Sequence, residues 1–472
     1  MQRLFSLTKS AIPLWLFVLG YTLLTLLAFQ GPLLGYSLPN IDLGGLSGIV
    51  ELVSLQVIQF LLMVVFLTAL AALSTLILKI ICALLLVLNT SAAFFMTTFN
   101  AEIDITMIAN ILNTDQREML HMWQPSLMLN LIFFALVPAV LIFRLNIVKP
   151  RWFVNLAASA VTLVLLVAWV LGTAFTWPWF DHHGTRLGAR LLPWSYIANT
   201  IRYVNQTALL SRTQELMPDA VFAPVPDGQK DIVVLVIGEA SRAQNYAYYG
   251  YPRDTNPFTR NTGLVALPAG RSCATFTIGS IACMVTYKGS AASSRTRLEP
   301  IQSYLTRFGV ETIFRTNNFG EPPIDVTRYE RITEIIDRCN GPDCPTELHD
   351  EALLLGLADE LTASTSQRIF VTLHQAGSHG PSYWRKYPAE FNEFKPVCET
   401  VDVSTCTTEE LVNAYDNTVR YTDYVNARLI EELKSVPDAR IAMIYVSDHG
   451  QSLGENGLYL HGAPLAIAPE TQ

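Results

Sequence analysis

The apolar residues of this chain are concentrated in its first third, in five runs that short polar connections separate. The runs cover residues 11–29, 52–73, 76–95, 127–143 and 153–175. Each is close to the ~20 residues that a helix needs to span a bilayer. The pattern therefore predicts a transmembrane domain of five helices within residues 1–175.

The basic residues around these runs predict their orientation, because cytoplasmic loops carry an excess of Lys and Arg. The two loops on one side contain only Arg117. The N-terminal segment, the tight turn after the second run and the last loop contain Arg3, Lys9, Lys79, Arg144, Lys149 and Arg151. We therefore expect a cytoplasmic N-terminus, and five spans then place the rest of the chain outside.

Residues 176–230 are predicted to connect the transmembrane domain to the rest of the chain. The stretch WSYIANTIRYVNQTALL mixes aromatic, apolar and basic residues at helical spacing. This pattern is typical of a helix at the membrane interface, and it fits an ordinary packed helix equally well. The stretch MPDAVFAPVPDG contains three prolines, and we interpret it as a linker.

From residue 231 the pattern changes to short apolar runs that alternate with helical stretches. DIVVLVI, VETIFR, RIFVTLH and RIAMIYV predict strands, and their continuous apolarity predicts a parallel sheet covered on both faces. T-T-E-E from Thr407 matches a capping box and predicts the start of a long helix. Residues 231–472 are therefore predicted to form a layered α/β domain.

Composition agrees with a membrane protein and limits its partners. The chain has 472 residues, 51% of them hydrophobic and only 15% charged. Its mean hydropathy is +0.31, which is too apolar for an ordinary soluble enzyme. The net charge of -8 argues against a nucleic-acid partner, which would require a clustered basic surface.

The cysteines support the outside placement of the α/β domain. Cys82 lies in a predicted span. The other six form close pairs, Cys273 with Cys283, Cys339 with Cys344, and Cys398 with Cys406. Nearest-neighbour disulfides would suit an oxidising compartment. Thiolate metal binding is the alternative, and the absence of C-x-x-C spacing makes it the weaker one.

Three predicted strands end in polar clusters. The side chains are Glu239 in VVLVIGEAS, His374 and His379 in FVTLHQAGSHG, and Asp448 and His449 in IYVSDHG. Any one of them alone is more often structural, but parallel strands bring their carboxyl ends to one edge, where ligands bind. Carboxylate and imidazole groups are zinc ligands, and a catalytic zinc keeps an open position. We therefore predict a zinc site at this edge.

A reacting group is the second requirement, and the segment RSCATFTIGSIACM offers hydroxyl groups. These are Ser272, Thr275, Thr277 and Ser280. Each fits a structural role as well. A threonine hydroxyl is weakly acidic, and coordination to a metal is the readiest way to activate it as a nucleophile.

The five spans, the three cysteine pairs and the motifs VIGEASRA, SCAT, GSHGP, SDHG and YLHG together resemble a known family, over nearly the whole chain. This family is the phosphoethanolamine transferases that modify lipid A, which include the mobile colistin-resistance enzymes. The resemblance implies a multi-domain, multi-pass protein of the Gram-negative inner membrane. A periplasmic α/β domain of the alkaline-phosphatase/sulfatase-like fold would follow the five-helix transmembrane domain.

The resemblance also implies an activity. Phosphoethanolamine would pass from phosphatidylethanolamine to a lipid A phosphate through a covalent phosphoethanolamine-threonine intermediate at a zinc site, giving resistance to polymyxins. We expect a monomer in contact with membrane lipids. Related acceptors, a lipopolysaccharide core sugar or a periplasmic glucan, would require the same chemistry and stay open.

The resemblance assigns roles by motif. Glu239, Thr275, Asp448 and His449 correspond to zinc ligands, with Thr275 also the nucleophile. His379 and His461 correspond to residues around the transferred phosphate or a second metal, and His374 is a neighbour that we also place in substrate binding. The stretch IANILNTDQREM singles out Asn110 and Glu118 for substrate binding, although both fit ordinary interfacial polar residues.

Three features depart from the family pattern. RTNNFGEPPIDVTR lacks the lysine that usually follows Asn318, so a phosphate-contacting cation is missing or is supplied by Arg328. Gln451 stands where SDHGES has a glutamate, which predicts one tightly bound zinc and leaves a second zinc in doubt. The sequence stops at Gln472, before a further strand and helix that the family usually has, so we expect a truncated domain.

Two other classes stay open, an alternative enzyme and a non-enzyme, whereas a sulfatase is excluded. A lipoteichoic-acid-type synthase would share the spans and the threonine nucleophile, but the paired cysteines argue against it. A sulfatase would need a Cys-x-Pro-x-Arg motif, which the chain lacks. A membrane-anchored binding protein with a structural zinc is the non-enzyme alternative, although such zinc sites often contain Cys.

Overall fold

The computed structural model describes residues 11–113, 124–210, 214–291, 297–340, 344–462 and 469–471. These residues fall into two compact units. The first comprises residues 11–108 and 124–201, and the second comprises residues 109–113 together with the described residues from 202 onward. The first unit thus extends past residue 175 into the predicted bridge.

The first unit is built from long apolar helices. Its elements up to the last span are β1 (Ala11–Pro13), α1 (Leu14–Phe29), α2 (Gly31–Ser37), α3 (Leu46–Leu73), α4 (Thr75–Phe99), α5 (Ile105–Asn113), α6 (Pro125–Arg144, with a π-helical segment), β2 (Asn146–Val148) and α7 (Trp152–Gly172). Helices α3, α4, α6 and α7 are each long and apolar enough to cross a membrane. Helix α1 joins the segment Gly31–Asn40 at a bend of 59°. Counted as one bent span, this pair gives the five spans that the sequence predicts.

Polar side chains join these apolar helices at a few buried positions. The hydroxyls of Thr68 in α3 and Ser159 in α7 lie 2.7 Å apart. The amide groups of Gln30 and Gln59 exchange hydrogen bonds of 2.5 and 2.9 Å. Such contacts favour helix association in a bilayer, where apolar burial alone does not.

Two further helices follow the last span, α8 (Trp177–Arg190) and α9 (Trp194–Leu210). Helix α9 coincides with the stretch that the sequence predicts as a bridging helix. At its beginning, Tyr196 donates a hydrogen bond to Asn89 at 3.0 Å, and Asn199 donates one to the carbonyl of Ile103 at 2.8 Å. The first half of α9 therefore packs as an ordinary helix.

The second unit is built on a five-stranded parallel sheet with the order β7-β6-β8-β4-β9. The strands of this unit are β3 (Gln214–Glu215), β4 (Lys230–Gly238), β5 (Arg297–Leu298), β6 (Glu311–Thr316), β7 (Arg328–Arg331), β8 (Arg368–His374), β9 (Ala439–Ser447), β10 (Ser452–Leu453) and β11 (Tyr459–Leu460). The helices are α10 (Thr277–Met284), α11 (Ile301–Arg307), α12 (Ile332–Asp337), α13 (Leu357–Ala363) and α14 (Thr408–Lys434).

The four apolar runs that predict strands form β4, β6, β8 and β9. Strand β7 is not predicted, because its sequence RYER has no apolar run. The expectation that the sheet is covered on both faces is wrong for the edge strand β9. Its side chains alternate between half-buried and exposed, with Ile444 55% and Val446 37% exposed among the described residues.

Helix α14 covers the sheet, and it begins where the sequence predicts. Thr407 Oγ1 accepts a hydrogen bond from the amide of Glu410 at 3.2 Å, and the Glu410 carboxylate accepts one from the amide of Thr407 at 2.8 Å. Val425, Leu429 and Leu433 of this helix pack in one core with apolar side chains of β4 and β8. This core fixes the positions of the two central strands.

The register of the sheet brings four strand ends to one level. Ile237 of β4 pairs with His374 of β8, which in turn pairs with Thr316 of β6. Gly238 of β4 pairs with Ser447 of β9. The residues that follow these positions are therefore neighbours.

Three disulfides join cysteines that are close in sequence, Cys273–Cys283, Cys339–Cys344 and Cys398–Cys406. Cys82 in α4 is buried and free.

We predict that peptide mapping without reduction will find these three links, because each pair is held together by a short loop of the folded chain. Cys82 should be labelled by a thiol reagent only after denaturation. Six thiols that react in the native protein would contradict the pairing.

Candidate active site

The core of the site is formed by the residues that directly follow β4 and β9. Glu239 follows β4, and Asp448 and His449 follow β9. All three are nearly inaccessible to solvent, with exposures of 0%, 0% and 2%. His449 Nε2 lies 3.3 Å from Glu239 Oε1 and 3.4 Å from Asp448 Oδ2. Two buried carboxyl groups thus face one imidazole.

The hydroxyl of Thr277 completes this core. Thr277 is the first residue of α10, and its Oγ1 lies 3.2 Å from Glu239 Oε2 and 3.2 Å from His449 Nε2. One turn later, Ser280 donates a hydrogen bond to the carbonyl of Asp448, which ties α10 to the end of β9. The hydroxyl is therefore placed by the start of a helix.

The backbone around Glu239 is tightly constrained. Ala240 has a φ of 52°, a left-handed conformation that is strained for alanine, and its amide donates to Asp448 Oδ1 at 3.0 Å. Gly377 has a φ of 46°, and a Cβ there would lie 2.7 Å from the carbonyl oxygen of Glu239. The glycine after β8 is therefore required for the close approach of two loops.

Asn318 is a further contact of Glu239. It lies two residues beyond β6, and its Nδ2 donates to Glu239 Oε2 at 2.8 Å and to the carbonyl of Gln375 at 3.0 Å. One oxygen of Glu239 is thus occupied by Asn318 and Thr277, while the other faces His449.

His461 lies on the other side of His449, with ring centroids 4.5 Å apart. Its Nδ1 lies 3.1 Å from Oε1 of Gln451, which is fully buried and donates from Nε2 to the hydroxyl of Tyr383 at 2.6 Å. The ring of His379 is 5.0 Å from that of His461. Gln451 therefore orients His461 through one ring nitrogen and leaves Nε2 for another ligand.

The geometry of this cluster fits a metal ion. Ligand atoms of Glu239, His449 and His461 all lie within 4.8 Å of one another. Within the described part of the chain, Glu239 Oε1 and Asp448 Oδ2 are buried and accept no hydrogen bond. Unpartnered buried carboxylate oxygens are costly unless they hold a cation. Carboxylate and imidazole groups together with a hydroxyl suit zinc.

The pKa shifts of these residues also favour a bound cation. Burial, together with the neighbouring Glu239, raises the pKa of Asp448 to about 7. Burial also opposes the charged forms of Glu239 and His449, but their mutual attraction outweighs it. The pKa of Glu239 is thus lowered well below its usual value, while that of His449 is raised to about 9, with Asp448 contributing. The carboxyl pair therefore attracts positive charge to this point.

Burial and the neighbouring His449 and His379 lower the pKa of His461 well below its usual value. A neutral imidazole is the form that binds a metal.

The structure brings together most, but not all, of the predicted site residues. Glu239, Asp448, His449 and His461 converge, and His379 lies beside His461. Thr277 supplies a hydroxyl that contacts both Glu239 and His449. Thr275, which the resemblance selects, lies two residues earlier, and its carbonyl accepts a hydrogen bond from the amide of Gly462 at 2.7 Å.

His374 lies behind this group. Its Nδ1 is 3.4 Å from the hydroxyl of Thr316 and 3.7 Å from Glu321 Oε2. Thr316 in turn donates to the carbonyl of Asn318, which contacts Glu239. The structure therefore does not place His374 in the Glu239, His449 and His461 group.

The remaining candidates lie elsewhere or are not described. Arg328, the substitute for the missing lysine, instead pairs with Glu360 and lies 3.9 Å from Glu311. Asn110 is half-buried in α5. Glu118 lies outside the described residues. Sequence reasoning missed Asn318 and Tyr383 as site residues, and in isolation neither carries a signal beyond its polarity.

Comparisons with known proteins agree with this geometry. The family model described as "Phosphoethanolamine transferase EptA/EptB" matches residues 59–208, and the one described as "Sulfatase" matches residues 231–472. "Phosphoethanolamine transferase EptA" of Helicobacter pylori is 34% identical, over 82% of this chain and 72% of the relative. "Phosphatidylethanolamine transferase Mcr-1" of Escherichia coli is 31% identical, over 84% of this chain and 77% of the relative.

A solved structure extends the similarity to the fold of the chain. It is the "Integral membrane protein lipooligosaccharide phosphoethanolamine transferase A (EptA)" of Neisseria meningitidis, which matches with a TM-score of 0.83 and 26% identity, over 96% of this chain and 86% of that one. The spans and the sheet thus both fall within the part of the chain that this structure matches. The chain is therefore an enzyme that belongs to the EptA family of phosphoethanolamine transferases.

Proposed function

We propose that this chain transfers phosphoethanolamine from phosphatidylethanolamine to a phosphate of lipid A. The names of the relatives support both substrates, since one is a phosphatidylethanolamine transferase and another a lipooligosaccharide phosphoethanolamine transferase. We place the spans in the inner membrane of a Gram-negative bacterium and the second unit in the periplasm, because the basic residues favour a cytoplasmic N-terminus. Added phosphoethanolamine would lower the negative charge of lipid A and so give resistance to polymyxins.

One observation carries the proposal, the two buried carboxylate oxygens, Glu239 Oε1 and Asp448 Oδ2, that no described group satisfies. The start of α10 lies against them, since the Thr277 hydroxyl is 3.2 Å from both Glu239 Oε2 and His449 Nε2. We therefore infer that the nucleophile belongs to this segment, and we propose Thr275, the residue that the family motif selects, with Thr277 positioning Glu239 and His449. A bound zinc would lower the pKa of the Thr275 hydroxyl. Glu239, Asp448, His449 and His461 are the residues that would hold it.

The reaction then follows from the chain's own groups. Thr275 Oγ1 attacks the phosphorus of phosphatidylethanolamine, and the bond from phosphorus to the diacylglycerol oxygen breaks. Diacylglycerol leaves with the proton of the Thr275 hydroxyl, and phosphoethanolamine stays on Thr275. A phosphate oxygen of the acceptor then attacks the same phosphorus and releases Thr275. Because His461 belongs to the metal group, we assign proton transfer to the neighbouring His379.

Hydrolysis of sulfate esters is a weaker alternative, although the fold is shared with sulfatases. Those enzymes use a formylglycine made from cysteine. Here the residue that faces Glu239 and His449 is Thr277, which cannot form it.

A single zinc fits the surroundings best. Gln451 is neutral, and both ends of its amide are engaged by His461 and Tyr383. It thus supports His461 from behind rather than offering a carboxylate to a second ion.

The first prediction from the proposed function concerns Gln451 as the support of a zinc ligand. The purified chain should hold about one zinc, and Gln451→Leu should weaken zinc binding by about tenfold or more, because loss of a hydrogen-bond partner behind a ligating histidine typically costs about 10–100-fold. Gln451→Glu is the matched control and should keep the affinity, since its carboxylate accepts the same hydrogen bond. Competition with a chelator measures both. Equal affinity in the Leu variant would contradict this role.

The second prediction separates the two threonines. Lipid A from cells that express the chain should gain phosphoethanolamine by mass spectrometry, and Thr275→Ala should abolish the gain because the attacking oxygen is removed. Thr277→Ser, which keeps a hydroxyl beside Glu239, serves as the control and should retain transfer. With the donor alone, the intact protein should carry one phosphoethanolamine on Thr275. An adduct on Thr277 would assign the attack to that residue, and full activity of the Thr275→Ala variant would rule out the covalent mechanism.

The third prediction concerns the proposed periplasmic location. An alkaline-phosphatase reporter fused after Pro226 should be active, and one fused after Asn146 should be silent, because the reporter folds only in an oxidising compartment. The reverse pattern would place the second unit in the cytoplasm.

A further inference from the structure

Helix α8 has the features of a helix at the level of lipid headgroups. It follows directly on the last span, α7, after a short turn. Trp177 and Phe175 at this junction are 45% and 58% exposed. Aromatic side chains at the end of a span are typical of the membrane interface. The polar residues of α8 are therefore expected at the depth of lipid phosphates.

The inner face of α8 is anchored within the first unit. Trp179 Nε1 donates to the carbonyl of Asn40 at 2.9 Å, and Leu187 packs in one apolar cluster with Leu33 and Leu55. The hydroxyl of Tyr36 lies 2.7 Å from His183 Nδ1. These contacts make α8 a fixed part of the unit rather than a helix that only rests on lipid.

Arg186 and Arg190 lie one helical turn apart, and both guanidinium groups lie over the ring of Tyr36. Among the described residues, a carboxylate balances the charge of Arg190 but not that of Arg186. The guanidinium carbons of Arg186 and Arg190 are 5.8 and 4.9 Å from the centroid of Tyr36. Arg190 forms a buried ion pair with Glu102 at 2.5 Å. Arg186 has no carboxylate within 4.0 Å in the described part of the chain. It is held in place by Tyr36 with its charge unpaired.

The groups around Arg186 favour the binding of an anion. His182 and His183 lie one helical turn before it. Burial, with the nearby charges of His182 and Arg186, lowers the pKa of His183, so its ring is neutral and can still donate one hydrogen bond. The Glu51 carboxylate also acts on His183, and it accepts a hydrogen bond from Ser47 at 3.0 Å. Asp181 is exposed and lies on a different face of the helix from Arg186.

We propose that Arg186, supported by His183 and Tyr36, binds the phosphate group of a membrane lipid. A guanidinium fork matches two phosphate oxygens, and its stacking on Tyr36 fixes the direction of the fork. The neutral His183 supplies a further donor. The proposal names lipid phosphate as the ligand chemistry, and both the phosphodiester of phosphatidylethanolamine and the phosphate of lipid A carry it.

The test measures lipid binding in chains that also carry Thr275→Ala and Thr277→Ala, so that neither threonine can accept phosphoethanolamine. Its outcome is therefore independent of the proposed transfer reaction. Native mass spectrometry of the full chain in detergent would be recorded with phosphatidylethanolamine, lipid A, diacylglycerol or inorganic phosphate added. The variants are Arg186→Gln and, as matched control, Arg151→Gln, which removes an exposed arginine at the other end of α7.

Arg186→Gln should weaken binding of a phosphate-bearing lipid by about tenfold, which corresponds to the loss of one hydrogen bond to a charged group. Arg151→Gln should bind as the chain with both arginines does, and diacylglycerol should bind all three proteins alike. The lipid whose binding Arg186→Gln weakens identifies the source of the phosphate. Unchanged binding of both lipids, an equal loss of diacylglycerol, or full displacement of the lipid by inorganic phosphate would overturn the proposal.

Discussion

The catalytic unit depends on one electrostatic constraint, the burial of two carboxyl groups at the ends of neighbouring parallel strands. Glu239 and Asp448 are fully buried, and one imidazole faces both. Such a group of charges is unfavourable unless a cation offsets it. The register between β4 and β9 makes the juxtaposition unavoidable, because Gly238 and Ser447 are paired. The fold thus creates a demand for positive charge that a metal ion would satisfy.

A hydroxyl group is brought to this charge by different means. Thr277 begins α10, and its helix is tied to the strand end through Ser280 and closed on its preceding loop by the disulfide Cys273–Cys283. A hydroxyl at the start of a helix has less conformational freedom than one in a flexible loop. We infer that the disulfide positions the hydroxyl as well as stabilising the unit.

Much of this architecture can be predicted from sequence, because it rests on patterns of many residues. The spans and the four apolar strands each show the same apolar signal over many residues. The capping box of α14 is a local motif with a fixed spacing. The convergence of Glu239, Asp448 and His449 also follows, since parallel strands end at one edge. What the sequence does not show depends on single side chains and local cover. The contact of Thr277 with Glu239 depends on where α10 begins, β7 is too charged to show as a strand, and the partial exposure of β9 depends on which elements cover it.

One physical criterion, whether a charge in a fixed position has a partner, connects the two proposals made for this chain. Other buried charges in each unit are matched, as Arg190 is by Glu102 and as Arg315 is by Glu330. Against that background, charge that the described residues leave in excess becomes informative. Glu239 and Asp448 together carry more negative charge than His449 offsets, which suits a cation. Arg186 lies on a helix that we expect at the level of lipid headgroups, and no carboxylate among the described residues pairs with it. Because unpaired charges in fixed positions are unfavourable, a folded chain retains them most readily where a ligand completes the pair.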